Sequence, residues 1–203
     1  MPFVVKRNGI FECRKSSINE AGNGVFCSKN VKAGTILPYY GVAMKDPEAD
    51  DDGANSKRTY MMAADYTTAY GRQRTLPNVS VDGDPRLSQI HALEEFKKMA
   101  CQINEASDST LPNCLLVSNP RISRVDIKRS LVKQVPIPIS YVVVVKTLPK
   151  GTELLTLYGD NYGDRDYAPC KISRQTYRKL ADRAHKFVDA LPRHSSTNVN
   201  TKV

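Results

Sequence analysis

The sequence has no apolar run near the roughly twenty residues that a bilayer-crossing helix needs. Its longest, Tyr141-Val142-Val143-Val144-Val145, is only strand-length, so no membrane span is expected. The opening Met1-Pro2-Phe3-Val4-Val5-Lys6-Arg7 lacks the apolar core of a secretory signal, and none is expected. No two cysteines stand at C-x-x-C spacing. Cys13, Cys27, Cys101, Cys114 and Cys170 are odd in number and scattered. That argues against a disulfide framework and against a zinc ribbon or finger. The histidines, His91, His185 and His194, do not complete such a set. No metal is expected, and the compartment reads as reducing and intracellular. Proline and glycine are dispersed, which excludes collagen-like and low-complexity chains. No repeat of about 20–50 residues is visible.

What is there suits one ordinary domain, or one with an appendage: 203 residues, 40% apolar and 25% charged. The charge is unbalanced, with 30 Lys and Arg against 21 Asp and Glu. Residues 121–150 hold seven basic side chains against one acid, and residues 171–203 hold eight against two. Such a face suits nucleic acid or chromatin, although lysine and arginine also simply solvate strands and helices. The run from Asp46 to Asp52 is opposite in sign, with five acids in seven residues. It reads as a solvated loop or as an acidic lip for a cationic peptide.

Short apolar or alternating runs separated by turn signals predict a mainly β domain with inserted and C-terminal helices, an α+β class. Strands are expected near 3–12, 25–27, 36–41, 59–62, 78–81, 115–117, 137–148 and 153–158. Gly22-Asn23-Gly24, Lys32-Ala33-Gly34-Thr35, Asp82-Gly83-Asp84-Pro85 and Leu148-Pro149-Lys150-Gly151 mark turns. Residues 86–100 carry helical spacing through Leu87, Ile90 and Leu93. Ser173 opens a second helix to residue 190, whose apolar face is Tyr177, Leu180, Ala181, Ala184, Phe187, Val188 and Leu191.

Three separated segments share one logic. The first is Gly22-Asn23-Gly24-Val25-Phe26, followed by Tyr40-Gly41. The second is Gln102-Ile103-Asn104-Glu105, followed by Leu111-Pro112-Asn113-Cys114. The third is Lys150-Gly151-Thr152-Glu153-Leu154, followed by Tyr158-Gly159-Asp160-Asn161-Tyr162. In order and spacing the chain resembles the SET-domain protein lysine methyltransferases over about residues 6–163. The resemblance implies a β-clip of small sheets with a pseudoknot-like crossing. It also implies S-adenosylmethionine as cofactor and a lysine-containing peptide or protein, first of all a histone tail, as substrate.

The chemistry asks for such parts. A lysine attacks only when neutral, yet its free pKa is near about 10.4. A narrow apolar channel with polar rims disfavours the ammonium and aims the lone pair. By resemblance, Tyr158 is the catalytic hydroxyl and Tyr60 a wall of the lysine channel. Gly22, Asn23, Gly24 and Val25 would approach the cofactor through backbone, Asn104 through its amide and Glu105 through its backbone. Tyr162 would line the cofactor or the channel, and Asn113 would hold the crossing. Each also has a plainer reading, as a packed tyrosine, a hairpin turn or a loop start.

The family's Asn-His-Ser-Cys is here Asn104-Glu105-Ala106-Ser107, and Leu116 falls where an aromatic often stands. Cys170 is a lone cysteine where a zinc-binding trio would begin, so no zinc is expected there. The helix of 173–190 would then cover the adenine, with Tyr167, Tyr177 or Phe187 as the aromatic. The implied division is a catalytic domain over 1–168 with a variable insert at 45–95, a helical segment at 169–191 and a tail at 192–203. A nuclear location is favoured over a cytoplasmic one. The alternative is a catalytically inactive SET-like module that contacts chromatin or nucleic acid through its basic face. Oligomeric state is left open.

Overall fold

The computed structural model describes residues 3–4, 9–18, 21–45, 61–107, 110–158 and 168–192. Its strands are β1 (Phe3–Val4), β2 (Phe11–Lys15), β3 (Asn23–Cys27), β4 (Thr35–Lys45), β5 (Met61–Thr67), β6 (Gln73–Asp82), β7 (Asn104–Glu105), β8 (Cys114–Ser118), β9 (Ile137–Val144) and β10 (Leu155–Thr156). Four helices accompany them: α1 (Ser88–His91), α2 (Glu95–Lys98), α3 (Arg124–Lys133) and α4 (Arg174–Asp189). The chain is therefore mostly β with a few helices, as its punctuation predicts.

The organising strand is β4. Residues Ile36 to Gly41 pair antiparallel with β9, and Val42 to Lys45 pair with β6. One long strand thus serves two partners on successive stretches. The larger sheet runs β5-β6-β4-β9-β8, with β1 parallel to the start of β4. The β-branched run of β9 is buried on both faces, which explains its continuous apolar character. Leu37, Tyr39, Ile137, Ile139, Val142 and Val144 enter the main core. Ile36, Tyr141, Val143 and Val145 face the other way, onto Ala184, Val188 and Leu191 of the α4 region.

Ser173 caps α4 by accepting the Thr176 N–H. The apolar stripe ends lower than its spacing suggests: Tyr177 is 48% exposed, because contact with the sheet begins only about a turn further on. The expected helix over 86–100 is broken. Glu94 is extended (φ −57°, ψ 146°), separating α1 from α2, and Ala100–Gln102 follow as a 3₁₀ turn. Of Leu87, Ile90 and Leu93 only Ile90 is fully buried, so no continuous apolar face holds one helix together. In its place α3 stands where the charge of 121–150 conceals a helix. Its signal is the capping box Ser123-x-x-Asp126. The Ser130 hydroxyl ties it to β4 by accepting the Ala43 N–H.

The run 153–158 is not one strand. Only Leu155–Thr156 pair as β10, because the two residues before them bond β3, Glu153 bridging Phe26 and Leu154 donating to Val25, while Tyr158 meets β7 through the Glu105 side chain instead of its backbone. Among the described residues none of the five cysteines forms a disulfide, and no helix is long and apolar enough to cross a membrane.

Candidate functional site

The three motifs converge on one place. The segments bearing them are 22–25, 104–105 and 153–158, the first and last more than 120 residues apart in the chain, and they meet edge to edge. β7 and β10 pair in parallel, Leu155 opposite Asn104 and Thr156 opposite Glu105. The hairpin of β2 and β3 joins from the other side through Leu154 N–H to Val25 (2.7 Å) and Cys27 N–H to Thr152 (2.8 Å).

Asn113 locks the crossing. Its side-chain amide donates to the Glu153 carbonyl at 2.7 Å and accepts the Leu155 N–H at 3.0 Å. Its backbone N–H donates to the Leu155 carbonyl, and its own carbonyl accepts from Val145. A 5% exposed asparagine thus satisfies buried backbone on two crossing segments, where no regular ladder reaches.

Tyr158 is half-buried. Its hydroxyl donates to the Ile103 carbonyl at 2.6 Å, and its backbone N–H donates to Glu105 Oε1 at 2.9 Å. The hydroxyl proton is therefore directed at a fixed carbonyl. Glu105 is 5% exposed and acts through its carboxylate as well as its backbone. The sequence motif implied only the backbone role.

Glu153 is the hub, and the motifs single it out only as a member of the third segment. Its carboxylate accepts from the Ser16 hydroxyl (2.6 Å), the Ser17 N–H (3.0 Å), the Ser17 hydroxyl and the Asn104 amide (3.1 Å). Burial pushes its pKa up, but the hydrogen bonds from Ser16, Ser17 and Asn104 outweigh this and hold it below the ordinary carboxylate value. Nothing in the sequence marks Ser16 and Ser17, which lie in a polar stretch without periodicity.

Asn104 donates both to Glu153 and, at 3.1 Å, to the Asn23 carbonyl. Both neighbours are acceptors only, so the NH₂ must face them. The amide oxygen is turned away from both. Any ligand met by this side chain would meet an acceptor.

Gly24 has a packing reason for being glycine. A Cβ there would stand 2.1 Å from Glu153 Oε1 and 3.1 Å from Asn104 Nδ2. Gly22 needs its residue type for another reason, a φ of +71°, and its surroundings are open. Gly22 and Asn23 are exposed and Val25 is fully buried. The structure thus brings Gly22, Asn23, Gly24, Val25, Asn104, Glu105 and Tyr158 together. Tyr60, Tyr162, Gly159, Tyr167 and the Asp46–Asp52 run lie outside the described residues.

Of the aromatics expected over the adenine, Tyr167 lies outside the described residues. Phe187 packs against Gly34, where a Cβ would lie 2.8 Å from its ring, and Tyr177 points outward. The segment that does lie over the motif is the one before α4. The Cys170 N–H donates to the Ala106 carbonyl, Ser107 bridges Pro169, and Ala106, Leu155 and Cys170 form a small core of their own.

No protein-family model matches the chain, and no curated protein matches it. Among solved structures it is similar to the Neurospora SET domain protein DIM-5, a histone lysine methyltransferase, at 22% identity and a TM-score of 0.45, over 79% of this chain. It spans 56% of that chain. It is also similar to the methyltransferase domain of human PR domain-containing protein 2, at 16% identity and a TM-score of 0.42, over 79% of this chain and 84% of that one.

Proposed function

We propose that the chain is an S-adenosylmethionine-dependent protein-lysine N-methyltransferase of SET architecture, acting first of all on a histone tail. The observation that carries this is the Tyr158 hydroxyl held against the Ile103 carbonyl, one residue from Asn104, at a crossing clamped by Asn113.

S-adenosylmethionine, when bound, supplies an electrophilic methyl group on a sulfonium. The residues present suit such a cation. Asn104 offers its amide oxygen, because its donors are occupied. The carboxylates of Glu105 and Glu153 keep the electrostatic environment negative. Tyr158 presents an oxygen whose proton is tied to a carbonyl, so it accepts an N–H from the lysine amine and aims the nitrogen lone pair along the transfer line. The same oxygen would also face the positive charge that the cofactor brings. Tyr60 would form a channel wall and Tyr162 a lining of the cofactor site or channel. The acidic run Asp46–Asp52 would favour basic sequence around the target lysine. Nuclear location follows if the substrate is chromatin.

The second reading is a chain that keeps the crossing without the transfer and serves as a chromatin or nucleic-acid interaction module. Its support is Glu105 in place of the family's histidine, with the carboxylate spent on the Tyr158 N–H. Titration calorimetry with S-adenosylhomocysteine, paired with a turnover assay of Tyr158→Phe, separates the two. The enzyme binds the nucleoside in both forms and loses turnover in the variant. The module binds neither form, and a variant that keeps full turnover removes Tyr158 from the mechanism.

A further inference from the structure

The face of the larger sheet that α4 covers is longer than α4. Beyond Leu191 the same face continues as Pro38 and Tyr40 of β4 with Pro138 and Tyr141 of β9, and it floors a cavity of about 630 Å³. That volume lies within the range of small-molecule sites, about 300–1,000 Å³. None of the cavity's lining residues belongs to the site built around Tyr158.

The walls combine aromatic surface with cations. Phe96 and Tyr40 are half-exposed rings, and Lys97, Arg121 and Arg129 bring three positive charges. Two carboxylates also line it, and each engages one of these cations, so the lining carries a net charge of one positive. Glu94 stands 3.6 Å from Lys97, while Asp126 accepts from Ser123 as the cap of α3 and lies 3.8 Å from Arg129. Arg121 differs: its guanidinium donates to the Leu191 carbonyl at 2.9 Å and forms no ion pair among the described residues. Among the described residues its other donors meet no acceptor, and they can serve a ligand. The fold thus gathers part of the basic stretch 121–150, which methyl transfer does not use, into one apolar-floored hollow.

We propose that this cavity binds a nucleotide, either free or as one unit of a single strand, with the base against the Tyr40 and Phe96 rings and the phosphate on Arg121 and Arg129. A stacking surface beside fixed cations is the combination that single-stranded nucleic acids and their monomers require, and guanidinium groups match phosphate oxygens two at a time. The proposal is independent of the methyltransferase reading.

The test uses the full chain at low salt with two probes: a fluorescein-labelled oligodeoxythymidylate followed by anisotropy, and thymidine 5′-monophosphate followed by calorimetry. Arg121→Gln with Arg129→Gln should weaken binding at least about ten-fold. Tyr40→Leu should weaken it through lost stacking. Arg178→Gln with Lys179→Gln, on α4 and outside the cavity, should leave it unchanged. Thermal melting checks each fold, and Arg121→Lys alone, which keeps the charge and loses the two-pronged fork, carries the same test if the double arginine variant does not fold. Monophosphate binding alone identifies a free nucleotide, and strand binding identifies nucleic acid; both support the site. No binding of either probe, or an equal loss in the α4 control, overturns it.

Discussion

Replacing Glu153 by glutamine preserves shape and removes charge, so it isolates what the carboxylate does at the hub. Four donors point at it, and two are geometrically fixed: the Ser17 N–H on Oε2 and the Asn104 NH₂ on Oε1. Glutamine has one acceptor oxygen and one NH₂. If the oxygen takes the Ser17 N–H, the new NH₂ faces Asn104. If it takes Asn104, the new NH₂ faces Ser17. The two serine hydroxyls can rotate to accept, but one fixed donor stays unpaired in either pose. Ser17 is exposed and Asn104 half-buried, so water reaches the unpaired donor and the penalty stays near about 1 kcal/mol, with loss of charge assistance on the others adding about 1 kcal/mol. The expected loss is about 1–2 kcal/mol, which for a chain of this size lowers Tm by about 2–8 °C. The sign of the pH dependence follows from the depressed pKa. The carboxylate's contribution is present above its ordinary value of 4.5 and is lost as pH falls through the lower, folded-state pKa. Thermal melts followed by circular dichroism should therefore show the full gap between wild type and Glu153→Gln at pH 7. The gap should narrow in the acid range below 4.5. A variant that melts within about 1 °C of wild type at pH 7 refutes the hub.

Asn113→Ala strips partners from the Leu155 N–H and the Glu153 carbonyl at once, and should cost about 2–5 kcal/mol in denaturant unfolding. Gly34→Ala combines a φ of +86° with a Cβ 2.8 Å from the Phe187 ring. It should destabilise by about 1–3 kcal/mol and speed amide exchange along α4. Iodoacetamide at pH 8 should modify Cys13 first, the single exposed cysteine, as read by mass spectrometry. Burial lifts Cys27 to about 11 and Cys101 to about 12, and pushes Cys114 up as well, so early adducts at any of these would contradict the packing.

The outline of the fold is written in local signals. The β-branched run at 141–145 gives β9, Ser173 with its apolar stripe gives α4, and the glycine turns at 22–24 and 32–35 bracket β3 and the start of β4. The misread stretches are those where tertiary partners decide. Residues 86–100 have helical spacing but only one fully buried side chain among Leu87, Ile90 and Leu93, so the helix breaks at Glu94. The α3 helix has little apolar content and is legible only through Ser123 and Asp126. At the candidate site, motif order is enough to bring Asn104 and Tyr158 together as expectations, because resemblance transfers positions. It does not transfer the inward turn of the Asn104 NH₂, the carboxylate of Glu105 on Tyr158 or the serine pair on Glu153. Those bonds span 49 to 137 positions of sequence and leave no local pattern. The contact between Phe187 of α4 and Gly34 is likewise a long-range one that no local pattern announces.

The most direct measurement is methyl transfer itself. The chain is incubated with S-adenosylmethionine and an array of histone-tail peptides, and peptide masses are read alongside those from Tyr158→Phe at matched concentration. Methylated lysine from the wild-type chain, with turnover in Tyr158→Phe reduced at least a hundred-fold (about 2.7 kcal/mol of barrier), is the expected result. Absence of methylation together with no affinity for S-adenosylhomocysteine, or equal turnover in both proteins, would contradict a tyrosine-oriented transfer at this crossing.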